Sequence, residues 1–144
     1  MRPLHWPIGY PLPAEASWWE RLTNPYKNYS QVKRALDKQL EARPRPDPSV
    51  WGDDPLRVKI GLLVCQRLQD EYEWRKDHFI PDDPFDIAFM TPWDDLEVAE
   101  VVMDLENDLG IKITNEAAEA WSGKTLGDVV DTLFAKCQKA ASHE

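Results

Sequence analysis

Residues 91–110 read Thr91-Pro92-Trp93-Asp94-Asp95-Leu96-Glu97-Val98-Ala99-Glu100-Val101-Val102-Met103-Asp104-Leu105-Glu106-Asn107-Asp108-Leu109-Gly110, and this pattern decides the fold class. Val98, Val101, Val102, Leu105 and Leu109 recur at spacings of three and four, the period of one helix face. Thr91 stands where an N-cap belongs, Pro92 at the first helical position, and Asp94 in the first turn. Gly110 supplies the stop. The stretch predicts a helix over about 92–109. Its second face is acidic, with Glu97, Glu100, Asp104 and Asp108.

The same period extends to either side. Leu56, Ile60, Leu63, Val64, Leu68 and Tyr72 predict an amphipathic helix from 55 to 74. The connection over 75–92 is too apolar for a free loop, because Phe79, Ile80, Phe85, Ile87 and Phe89 crowd it; these side chains are expected to pack back onto the helices. On the far side, Thr114 caps a short helix through Trp121. A last helix starts at Thr125, with Asp128 completing a capping-box-like pair. It buries Leu126, Val129, Val130, Leu133, Phe134 and Cys137. Towards the amino terminus, residues 1–13 are expected to run extended over the surface. A short helix follows over 14–22, and another over 29–42 with Ser30 as cap. Arg43-Pro44-Arg45-Pro46-Asp47-Pro48 reads as a stiff linker. The organisation expected is a Pro/Trp-rich helical extension, 1–50, and a domain of 51–144. The expected class is all-α: three long helices and one short one.

Composition narrows the function. Seven Trp and 42% apolar residues suffice for a real core. No apolar run approaches the length of a membrane span, and no signal-peptide pattern opens the chain, so a cytoplasmic location is expected. Residues 1–50 hold eight Lys and Arg against five Asp and Glu, a net +3; residues 51–144 hold nine against 21, a net −12. Nucleic acid is a poor partner for so acidic a surface, whereas a basic protein patch suits it. Cys65 and Cys137 read as small core residues. The scattered His5, His78 and His143 offer no metal set. No Ser/His/Asp or Cys/His constellation is present, so neither catalysis nor a cofactor is expected.

Five stretches resemble acyl carrier proteins in order and spacing over about 55–139: Arg57-Val58-Lys59, Pro84-Phe85-Asp86-Ile87, the acidic helix from Asp94, Leu109-Gly110-Ile111-Lys112-Ile113-Thr114-Asn115-Glu116, and Thr125-Leu126-Gly127-Asp128-Val129-Val130-Asp131. That family opens its acidic helix with Asp-Ser-Leu, and the serine carries a phosphopantetheine arm. Here Asp95 stands in the serine's place. A carboxylate has no hydroxyl to attack the coenzyme A pyrophosphate. The resemblance therefore implies an acyl-carrier-protein-like bundle without the carrier chemistry. It also implies a partner-binding face: Asp94, Asp95, Leu96, Glu97, Ala99, Glu100, Met103 and Glu106. Partners would be proteins with basic patches, of the kind found among fatty-acid and polyketide pathway enzymes.

Two readings of function follow. One is a protein–protein interaction module working through the acidic helix. The other is a small-ligand binder that holds a fatty acid or lipid in the bundle cavity. Acidic residues at i, i+3 and i+7 are also what any solvated helix face displays. Residues 1–50 hold six of the fifteen aromatics (Trp6, Tyr10, Trp18, Trp19, Tyr26, Tyr29). They are expected to enlarge the core, packed for instance against the first and last helices, rather than to cover the acidic face.

Overall fold

The computed structural model describes residues 1–93 and 96–142. Among these the chain is all-helical, with no strand. In chain order the helices are α1 (Trp18–Thr23), α2 (Tyr29–Ala42), α3 (Pro55–Tyr72), α4 (Phe85–Ala88), α5 (Leu96–Leu109), α6 (Asn115–Glu119) and α7 (Leu126–Ser142), with single 3-10 turns at Pro13–Glu15 and Pro48–Trp51. No helix among the described residues is long and apolar enough to cross a membrane.

Local chemistry explains most of these boundaries. Asp54 caps α3, its Oδ1 accepting from the Leu56 N–H at 2.8 Å, and Pro55 takes the first helical position. Thr114 caps α6 through the Ala117 N–H at 3.1 Å. Thr125 and Asp128 form the reciprocal pair expected of them: Asp128 Oδ2 accepts from the Thr125 N–H at 3.0 Å, and the Asp128 N–H donates back to Thr125 Oγ1 at 3.3 Å. Two expected caps are not used. Asn28, in the left-handed conformation, precedes α2 in place of Ser30. Thr91 does not open α5; residues 91–93 form a turn, and Thr91 Oγ1 donates to Asp86 Oδ1 at 2.8 Å.

α3 is the central element. It packs on α5, on α7, and on the 3-10 turn that carries Trp51. Gly61 makes the last contact possible: a Cβ there would lie 2.4 Å from the Trp51 ring. α7 contributes Leu126, Val129, Val130 and Leu133, all buried, and α5 contributes Val101 and Leu105. Each such side chain is worth roughly 1.5–3 kcal/mol on transfer from water. The apolar connection behaves as its composition demands. Phe79, Ile80, Phe85 and Phe89 are buried, and α4 forms inside it, a helix the sequence reading did not foresee.

Residues before 50 belong to the same buried cluster through Leu4, Val32, Leu36 and Leu40. Leu4 and Pro7 are buried, which corrects the expectation of a segment lying wholly on the surface. The His5 main chain is clamped by Gln39, whose Oε1 accepts at 3.1 Å and whose Nε2 donates at 3.0 Å. Trp6 stacks on Trp93 at 5.2 Å, and Tyr29 meets the same ring edge-on at 5.3 Å. Arg43, read as the start of a linker, is a core residue. Its guanidinium grips Asp83 in bidentate fashion, Nη1 to Oδ2 at 2.7 Å and Nη2 to Oδ1 at 2.5 Å. Asp83 also accepts from the N–H groups of Leu4 (2.8 Å) and Ile80 (2.9 Å). A charge pair so buried persists only when its remaining hydrogen-bonding capacity is met, as it is here.

Candidate functional site

α5 presents three faces, and they do different things. Val101 and Leu105 enter the core. Leu96 and Met103, seven residues apart on one side, remain 66% and 59% exposed, with Ala99 and Glu100 exposed between them. Two large apolar side chains thus stand exposed beside a carboxylate on this side of the helix. Of the eight residues expected to meet partners, Asp94 and Asp95 lie outside the described residues. Glu97 is half-buried. Glu106 is turned towards the fold, its Oε2 accepting from the Ile113 N–H at 2.8 Å, where it ties α5 to the segment leading into α6.

The acidic stripe is also divided. Asp108 accepts from Arg67 of α3 at 2.6 Å and 2.7 Å, and Asp104 lies 3.9 Å from the same guanidinium. Arg67 holds the Asp108 carboxyl below its usual range. The amino-terminal half has a different setting. Glu71 of α3 hydrogen-bonds Glu100, and this bond, partial burial and the charges of Glu100, Glu97 and Asp104 push the Glu71 carboxyl up to about 7. The folded chain then keeps a proton that the unfolded chain releases near the ordinary value of 4.5. The contribution of Glu71 to stability is complete below that value and disappears as pH rises through about 7. Glu71→Gln is neutral at every pH. Its melting temperature is expected to match wild type near pH 4, to draw ahead as pH rises past 4.5 and to exceed it by a constant margin above pH 7, in paired thermal melts across that range.

Two concavities flank α5. One, of about 490 Å³, runs between α2 and the end of α3, where Lys33 and Arg34 share its walls with Glu71 and Glu97. Basic groups of the amino-terminal segment therefore border one edge of the acidic helix, while Leu96 and Met103 on another side are exposed. The other, of about 660 Å³, lies between α5 and α6. Val98, Ala99, Val102 and Met103 form one wall, Ile113 and Ala118 the other, and Phe85 adjoins them. Asp86 braces one end, accepting from the Gly123 N–H at 2.8 Å and from Thr91. The residues of the first wall are legible in the sequence, but the place of a bundle cavity is not, since the opposite wall comes from a separate helix.

Comparison with known proteins finds no match: no family model, no curated protein and no solved structure.

Proposed function

We propose that the chain is an acyl-carrier-protein-like module that acts by protein–protein interaction through α5, without phosphopantetheine and without catalysis of its own. Residues 1–50 are its extension and 51–144 its carrier-like domain. The observation that carries this reading is the pairing of exposed Leu96 and Met103 with exposed Glu100 on one side of α5. Apolar anchors among carboxylates suit partners with basic patches, such as enzymes of fatty-acid or polyketide pathways, acting in the cytoplasm. A second reading, a fatty-acid or lipid binder, is favoured by the groove between α5 and α6, whose volume of about 660 Å³ and apolar side chains, set among Asp86, Glu106 and Glu119, suit a short acyl chain.

Both halves of the proposal can be tested. Wild type incubated with coenzyme A and a phosphopantetheinyl transferase is expected to stay unmodified in intact-mass spectra. Asp95→Ser is expected to take the arm, its hydroxyl attacking the pyrophosphate with release of adenosine 3′,5′-bisphosphate. An unmodified Asp95→Ser protein would remove the carrier resemblance from the argument. Affinity capture with Glu97→Lys/Glu100→Lys alongside wild type is expected to lose a discrete partner set. Equal capture by both would shift the conclusion to the ligand groove.

A further inference from the structure

The α5–α6 groove has a charge as well as a shape. Val98, Val102 and Met103 face Ile113 and Ala118 across it, and from Val98 to Glu106 the α5 wall rises about 12 Å along the helix axis. Among the described residues, the charged side chains that line it are three carboxylates, Asp86, Glu106 and Glu119. Asp86 and Glu119 belong to one end: Asp86 Oδ2 accepts from the Gly123 N–H at 2.8 Å, and the Ser122 N–H beside it donates to the Glu119 carbonyl at 3.3 Å. Glu106 stands apart from them, with its Oε2 on the Ile113 N–H at 2.8 Å.

No basic side chain among the described residues compensates these three within the groove. Other acidic groups of the protein meet guanidinium partners: Asp83 is gripped by Arg43, and Asp104 and Asp108 share Arg67. The donors to Asp86 and Glu106 are instead a hydroxyl and main-chain amides, all of them neutral. Lys112 and Lys124, the basic residues adjacent to the walls in sequence, are exposed and form no part of the lining. A carboxylic acid head would therefore meet three like charges in the groove, and an ammonium head three opposite ones. A bare metal ion is a poor occupant, since among the described residues no three His, Cys, Asp or Glu side chains gather closely enough to hold one. A wholly polar cation would leave the apolar walls without a partner. The complementary molecule joins a cationic head to an apolar tail.

We propose that the α5–α6 groove binds a primary aliphatic amine, its alkyl tail between Val102 and Ile113 and its ammonium at the Asp86–Glu119 end. That end offers two carboxylates and the Ser122 hydroxyl to the three N–H donors of the head. The inference rests on the groove being a ligand site, the second reading above, and it changes the class of ligand from fatty acid to amine.

Titration of the ¹⁵N-labelled full chain with octylamine, octanol and octanoate, one tail under three heads, tests it through amide chemical shifts. At pH 7 the amine is an ammonium ion. Wild type is expected to bind octylamine with a dissociation constant of about 1 mM or below, with the shifts centred on 98–103 and 113–122. Octanol is expected to bind about tenfold more weakly, and octanoate more weakly still. Glu119→Gln removes one exposed carboxylate, and it is expected to weaken octylamine about threefold while leaving octanol unchanged. Asp53→Asn is an equal loss of charge on an exposed side chain outside the groove, and it is expected to change neither. Ala118→Trp fills the groove and is expected to abolish binding of all three. Circular dichroism reports whether that variant folds, and Glu119→Lys, which adds no bulk to the apolar walls, is the alternative if it does not.

Octanol or octanoate binding as tightly as octylamine at the same amides overturns the amine assignment and leaves the groove a ligand site. Octylamine weakened as much by Asp53→Asn as by Glu119→Gln also overturns it, because net charge alone would then account for the attraction. No shift at the groove with any of the three probes overturns the inference and the ligand reading together, and leaves docking through α5 in place.

Discussion

Replacing Asp83 with alanine is expected to destabilise the protein by about 3–5 kcal/mol, the usual effect of stranding one member of a buried ion pair. Arg43 would keep its charge among apolar neighbours. It would retain only the carbonyls of His78 at 3.0 Å and Arg2 at 2.8 Å. The main-chain N–H groups of Leu4 and Ile80 would each lose an acceptor, a further loss of about 1–3 kcal/mol apiece where water cannot enter. Urea denaturation monitored by tryptophan fluorescence is the check, with the midpoint falling at an unchanged slope. Arg43→Met/Asp83→Leu is expected to recover part of the loss, since it leaves no unpaired charge but still orphans two amides. A single variant within 1 kcal/mol of wild type would mean that the pair does not hold the amino-terminal segment to the α3–α5 connection.

Trp121→Ala is the second change with a large expected effect, about 3–5 kcal/mol. The indole follows α6 directly and is 1% exposed. It packs against Phe85 at 5.8 Å, and its Nε1 donates to Thr132 of α7 at 3.3 Å. α6 has five residues and no buried side chain of its own, so this ring pins it to the rest of the molecule. The loss should therefore be largest at α6, seen as faster amide exchange over 114–123 than over α3. Trp121→Phe keeps most of the apolar contact and gives up the hydrogen bond, so its effect should be smaller. Because α6 is one wall of the groove, Trp121→Ala should also weaken anything that binds there. Amide exchange unchanged at α6 would show that the helix has other support.

The chain was most legible where a residue's partner lies within about four positions. The Thr125–Asp128 pair, the cap at Thr114 and the α7 stripe are short-range patterns that the structure contains, with Leu126, Val129, Val130 and Leu133 buried and Phe134 and Cys137 half-buried. The candidate surface was legible as far as one helix face extends. Leu96, Ala99, Glu100 and Met103 are exposed together because spacing alone places them together. Glu106 looked equivalent in the sequence, yet it points to Ile113, since a carboxylate next to a loop takes whatever N–H the loop brings near.

Sequence by itself therefore determined that the protein is helical, where the long helices run, and which sides of them are apolar or acidic. Those properties depend on backbone hydrogen bonds and side-chain periods that close within a turn or two. Only the tertiary structure decided that Arg43 meets Asp83 across 40 residues. It alone placed Trp6 and Tyr29 on Trp93, set Glu71 against Glu100, and let α5 and α6 enclose a groove while α1 holds two indoles in water. Such pairings join parts of the chain whose separation carries no periodic signal. They form when burying the apolar core forces every displaced polar group to find a new partner.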